Sequence, residues 1–207
     1  MYEEIRQQKL ICITNRHLVQ GDFLDRIRQI AAKKQVDAII LREKDLSEED
    51  YRTLAEKVLR ICEKYHKYCI LHTFWSVAEQ LKHPYLHLSY PLFLQLYEQR
   101  PEFLERECGQ PTFWKIGVST HTVEEARLAE TMRASYVTAS HIFPTACKEG
   151  LPPRGLSYLR EAAGAVEIPV FALGGIHPEH ISACMEAGAA GVCMMSEFMC
   201  GDLRFFV

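Results

Sequence analysis

Two cations two residues apart, Arg42 and Lys44 in Leu41-Arg42-Glu43-Lys44, are the first feature with chemical content in this 207-residue chain. At the end of an extended segment they share a face, where they can attract one anion. The stretch Phe143-Pro144-Thr145-Ala146-Cys147-Lys148 adds a hydroxyl, Thr145, and an ammonium, Lys148. Gly174-Gly175-Ile176 offers backbone N–H groups with no Cβ in the way, and Ser196 follows a later apolar run. Such glycine turns let phosphate oxygens approach the backbone. Ser119 closes Gly117-Val118-Ser119 with another hydroxyl, and His141, in Thr138-Ala139-Ser140-His141-Ile142-Phe143, brings an imidazole. An imidazole exchanges protons near neutral pH. These residues predict a site for a small phosphate-bearing anion, with one histidine placed for proton transfer. The plainer reading of each is a rim salt bridge to Glu43 or Asp45, a solvated loop lysine, a tight turn and a core histidine.

Other chemistry finds less support. His72 and His87 close two apolar runs, but neither Leu71–Trp75 nor Leu86–Phe93 contains a carboxylate, so no metal site is expected. No cofactor motif appears. His177 and His180 read as a surface pair at a helix start. The eight cysteines (Cys12, Cys62, Cys69, Cys108, Cys147, Cys184, Cys193 and Cys200) form no CxxC pair and read as free thiols, buried in five apolar or periodic segments.

The elements that must position these groups alternate. Apolar runs at Leu10–Asn15, Ala38–Glu43, Cys69–Thr73, Tyr85–Ser89, Trp114–Ser119, Tyr136–Ile142, Pro169–Gly175 and Gly191–Ser196 read as buried parallel strands. Helical spacing fills the gaps, as in Leu24-Ile27-Ile30-Ala31 and Leu54-Val58-Ile61-Cys62. Thr122 with Glu125 makes a capping pair ahead of Val123-Ala126-Ala129. Eight such units predict an α/β fold, a closed (β/α)8 TIM barrel forming a single domain over 1–207. An open doubly wound sheet would carry a Gly-rich turn after the first strand, and Thr14-Asn15-Arg16-His17 has none. Dividing 207 residues by eight leaves about 26 per unit, a minimal barrel with a short last helix.

A net charge of −3 gives no basic footprint, so no nucleic-acid partner is expected. No apolar run approaches the roughly 18 residues that span a membrane, and the polar start lacks a secretory segment, so a cytoplasmic location is expected. The tail Phe205-Phe206-Val207 and the Trp75, Tyr90, Phe93 cluster are candidates either for a homodimer surface or for closing the mouth.

Leu41-Arg42-Glu43-Lys44, Gly117-Val118-Ser119 with His121 and Glu124-Glu125-Ala126, Ile142-Phe143-Pro144-Thr145 with Lys148, and Ala172-Leu173-Gly174-Gly175-Ile176 occur in this order. From about residue 10 to 200 they resemble the thiamine phosphate synthase/TenI superfamily, a phosphate-binding barrel. In synthases of that family, carboxylates after strands three and four hold Mg²⁺ and a pyrophosphate. Here those places read His72-Thr73-Phe74-Trp75 and His87-Leu88-Ser89-Tyr90-Pro91-Leu92-Phe93. Ser140-His141 stands where synthases tend to have Gly-Pro. The resemblance therefore implies the thiazole tautomerase branch, an isomerase in which His141 is the acid/base residue. It implies substrate contacts from Arg42, Lys44, Ser119, Thr145, Lys148, Gly174, Gly175 and Ser196, with no metal and no cofactor. The alternatives are a synthase that condenses a pyrimidine pyrophosphate with a thiazole phosphate, and a non-catalytic protein that binds the thiazole phosphate.

Overall fold

The computed structural model describes residues 10–100, 115–145, 148 and 150–206. Eight strands close in sequence order into a parallel barrel, and β1 pairs with β8. They are β1 Leu10–Ile13, β2 Ala38–Leu41, β3 Tyr68–His72, β4 Tyr85–Ser89, β5 Lys115–Thr120, β6 Tyr136–Ser140, β7 Val170–Leu173 and β8 Gly191–Met194. Each is followed by one helix: α1 Phe23–Ala31, α2 Glu48–Lys64, α3 Trp75–Gln80, α4 Tyr90–Gln99, α5 Val123–Thr131, α6 Gly155–Ala165, α7 Ile181–Glu186 and α8 Ser196–Met199. The (β/α)8 barrel and its short last helix are as expected. The capping pair is also present: the Thr122 hydroxyl accepts from the Glu125 N–H at 3.0 Å, and Glu125 accepts from the His121 N–H.

Several strands stop about two residues earlier than their apolar runs suggested. β7 ends at Leu173 because Gly174 and Gly175 have φ of 97° and 64°, which no ladder accommodates. β2 ends at Leu41, so Arg42 and Lys44 lie just beyond the strand rather than in it. Trp114, predicted to begin β5, lies outside the described residues.

Strand alternation divides the core. Leu10, Cys12, Ile39, Leu41, Leu71, Leu86, Val118 and Val137 face outward against the helices. Ile11, Ile13, Ala38, Ile40, Ile70, Tyr136, Phe171 and Cys193 fill the barrel interior. The interior is made to measure at one point: a Cβ on Gly117 would lie 2.0 Å from Tyr136 Cζ. Glycine there lets the Tyr136 ring lie across the barrel axis and carry its hydroxyl to β4. Cys12, Cys62, Cys69, Cys184 and Cys193 are buried free thiols, as their segments suggested, and Cys200 is exposed.

Two of the aromatic groups named for a partner surface or a lid, Phe93 and Phe206, are taken into the core. Phe93 is fully buried and Phe206 is stacked on Phe198 at 4.5 Å. Phe205 stays exposed, while Val207 lies outside the described residues. Among the described residues no helix is long and apolar enough to cross a membrane.

Candidate active site

Positioning of the mouth begins with two hydroxyls that tie strand ends together. Thr14, just past β1, accepts from the Arg42 N–H at 2.9 Å and donates to Glu43 Oε1 at 2.6 Å. Tyr51 of α2 donates to the Leu41 carbonyl at 2.7 Å and accepts from the His72 N–H at 2.8 Å. Burial pushes the Tyr51 phenol well up, so it stays a protonated donor. The ends of β2 and β3 are thereby fixed before any ligand arrives.

The three residues after Leu41 then divide their work. Glu43 is buried, and its carboxylate accepts from the Arg16 N–H and Nη1, each at 3.1 Å. The Arg16 fork also grips Asp45, which His17 reaches at 2.9 Å. The rim carboxylates are thus consumed by Arg16, not by their neighbours. Among the described residues, neither Arg42 nor Lys44 has a carboxylate partner. The Lys44 ammonium is held below its ordinary pKa, first by partial desolvation and then by the Arg42 and Lys148 charges. Three cations therefore feel one another's charge over the mouth, two placed after β2 and one in the segment that follows β6 on the far side of the ring.

Beneath them lies a neutral polar floor. His87, half-way along β4 rather than at its end, is engaged through both ring nitrogens. Nδ1 meets the Tyr136 hydroxyl at 2.9 Å, and Nε2 meets the Ser119 hydroxyl at 2.8 Å. Thr138 in turn donates to the Ser119 oxygen at 3.3 Å. His72 stacks on His87 with ring centroids 5.4 Å apart, and its Nδ1 meets Thr73 Oγ1 at 2.6 Å. Burial drives the His87 pKa down to about 3, with Lys44 adding to the effect. Burial, His87, Lys44 and Arg42 push His72 well below its ordinary value. Both imidazoles are neutral at physiological pH and serve as hydrogen-bonding groups.

The far side of the mouth is built from backbone. A Cβ on Gly175 would lie 2.2 Å from the Pro144 carbonyl oxygen, and one on Gly174 would lie 2.4 Å from His141 Cβ. The glycines let the turn after β7 press against the loop after β6, and the Phe143 N–H donates to the Gly174 carbonyl at 3.0 Å. Among the described residues, the Gly174 and Gly175 N–H groups are not used in backbone hydrogen bonds. Ser196 starts α8 and is exposed. His177 and His180, expected on the surface, are half-buried: His177 bonds Glu197 at 2.6 Å and His180 stacks on Phe143 at 4.0 Å.

His141 is buried at the end of β6, and its Nε2–H donates to the Leu151 carbonyl at 3.3 Å. Its own carbonyl accepts from the Arg154 N–H at 2.9 Å. The residue thus closes the loop 142–154 on itself. Thr145 is half-buried in that loop and Lys148 is exposed; Cys147 lies outside the described residues.

The structure therefore gathers Arg42, Lys44 and Lys148 electrostatically, places Ser119 in the floor, and sets Gly174, Gly175 and Ser196 on the opposite rim. Sequence reasoning missed His72, His87, Thr138 and Tyr136 as a connected network. The signal was there in strand alternation: His72 follows Ile70 on the inward face of β3, and His87 follows Tyr85 on that of β4. The Mg²⁺ held by carboxylates in synthases of the family does not fit this donor set. Mg²⁺ requires several hard oxygen ligands. Among the described residues no group of three His, Cys, Asp or Glu side chains converges.

A family profile described as thiamine monophosphate synthase matches residues 10–198. A provisionally named thiamine-phosphate synthase 2 of Aquifex aeolicus is 34% identical over 191 residues, covering 92% of this chain and 97% of its own. A thiamine-phosphate synthase of Enterococcus faecalis is 32% identical over 195 residues, covering 94% of this chain and 88% of its own. The solved thiamine phosphate pyrophosphorylase from Pyrococcus furiosus superposes with a TM-score of 0.80 at 24% identity, covering 98% of this chain and 93% of its own, which supports the fold. These names correct the expected branch. The relatives are synthases, which are transferases, and not tautomerases or other isomerases. Three local departures are outweighed by similarity that runs the length of the chain. His141, on which that branch rested, spends Nε2 on its own loop. Matched along nearly all of its barrel, the chain belongs to the thiamine monophosphate synthase family.

Proposed function

We propose that this protein is a transferase that joins a pyrimidine pyrophosphate to a thiazole phosphate, forming thiamine phosphate and releasing pyrophosphate. In that reaction the bond from the pyrimidine methylene carbon to the pyrophosphate oxygen breaks. Its electron pair leaves with the pyrophosphate, and the thiazole nitrogen supplies the pair for the new carbon–nitrogen bond. The observation that carries the reading is the trio Arg42, Lys44 and Lys148, cations at the mouth that have no carboxylate partner among the described residues. Fixed positive charge aimed at developing negative charge lowers the barrier to such a departure.

The other groups take supporting parts. Gly174 and Gly175, with unused N–H groups, and Ser196 across the mouth suit the thiazole phosphate. Ser119, held by His87 and Thr138, offers a hydroxyl from the floor to the ring portion. Thr145 lies in the segment that leads from β6 to Lys148, and His141 is tied to that segment at Leu151 and Arg154.

The test is to incubate the purified chain with both substrates and measure thiamine phosphate and pyrophosphate. Equal amounts of the two products are expected, and the absence of thiamine phosphate overturns the reading. Arg42→Ala should lower kcat/KM by about 100-fold, the usual size of a lost charge-assisted contact to a leaving group.

A further inference from the structure

We propose that this chain holds the diphosphate end of its ligand directly with Arg42, Lys44 and Lys148, without a bridging divalent cation. The inference rests on the synthase reading and departs from the Mg²⁺ that carboxylates hold in synthases of the family. Three independent observations carry it.

The oxygen donors are already committed. Glu43 is the buried carboxylate of this rim, and both its oxygens accept bonds from Thr14 or Arg16. Asp45 is paired with Arg16 and His17. Freeing either to bind a metal would break a network that also anchors the Arg42 backbone through Thr14.

The nitrogen donors are committed as well. His87 uses both ring nitrogens within the floor, and His72 uses Nδ1 on Thr73. Among the described residues this rim leaves no uncommitted carboxylate, and Mg²⁺ carried on substrate phosphates is held to a protein through one or two carboxylates.

The local field has the wrong sign for a dication. Lys44 is already destabilised by the positive charges of Arg42 and Lys148. A divalent cation at this point would add to that repulsion. A polyanion relieves it, and it meets a floor of neutral imidazoles that neither repel it nor compete for the cations. A diphosphate carries more anionic oxygens than a single phosphate to share among three cations.

Isothermal titration of the full chain with inorganic pyrophosphate, once in EDTA and once in Mg²⁺, tests the proposal. We expect binding in EDTA with a Kd within about threefold of that in Mg²⁺, and about tenfold weaker binding for Arg42→Ala, Lys44→Ala and Lys148→Ala. Lys148→Ala changes an exposed loop residue, so it reports on the site even if a rim variant folds poorly. Binding that appears only with Mg²⁺, binding that weakens tenfold or more in EDTA, or no binding in either buffer overturns the proposal. The product assay separates this claim from the synthase reading. Metal-free pyrophosphate binding without product sinks the synthase reading and leaves this one. Product formation together with Mg²⁺-dependent binding does the reverse.

Discussion

Two groups of loops at the barrel mouth offer an anion different materials. After β2 and β6 the groups on offer are charged side chains: Arg42, Lys44 and Lys148. After β7 and β8 they are backbone N–H groups, at Gly174 and Gly175, beside the Ser196 hydroxyl. The first group has charge to spare because Arg16 has taken Glu43 and Asp45. The second group has close packing instead, with glycines pressed against Pro144 and His141. A side-chain cation can be deleted with little harm to the fold. A backbone donor can be disturbed only by adding atoms where none fit.

That contrast orders the expected effects of substitution. Gly175→Ala should destabilise the protein by about 3 kcal/mol, because it combines a left-handed backbone with a Cβ forced onto the Pro144 carbonyl. Thermal unfolding should fall by about 8 °C for a chain of this size. An unchanged Tm would show that the turn is soft and the contrast false. Glu43→Ala should cost about as much, roughly 3 kcal/mol, by leaving the Thr14 hydroxyl and the Arg16 N–H without their buried acceptor. It should also lower pyrophosphate affinity, since Arg42 loses its anchor through Thr14. Arg42→Ala should do the opposite, leaving stability within about 0.5 kcal/mol because no ion pair is broken. Denaturant unfolding of the two variants side by side checks the pair.

A further expected effect concerns pH. His72 and His87 have depressed pKa values when folded and ordinary ones when unfolded. Between the ordinary value near 6.5 and about 3, the unfolded chain therefore binds more protons. Stability should be full above the upper limit and fall as pH drops through this window, by up to about 1.4 kcal/mol per pH unit for each histidine. Urea midpoints measured at pH 7, 6 and 5 test this, and His87→Gln should flatten the curve.

Much of this barrel is legible in the sequence because parallel strands are short apolar runs and their loops carry polar residues. The ends of the strands are less legible. Whether Arg42 lies in a strand or just after it depends on the Thr14 and Tyr51 hydroxyls, which arrive from other elements. The two cations after β2 were visible as a pair, but their freedom was not. It depends on Arg16 reaching across from β1 to remove the carboxylate between them. His72 and His87 were weighed only as metal ligands and set aside, although alternation placed both inside the barrel. The partnership of His87 with Tyr136 depends on the room that Gly117 leaves, which register reveals and spacing does not. The tautomerase expectation failed for a related reason. A histidine at the end of β6 suggested an acid/base role, while its packing ties it to the Leu151 carbonyl.

The most direct measurement is pyrophosphate release in a single turnover, comparing the parent chain with an Arg42→Ala, Lys44→Ala double variant of native circular dichroism. The charged side of the mouth, if it holds the leaving group, predicts release at least about 100-fold slower in the variant. Release at the parent rate from a folded double variant would contradict the account.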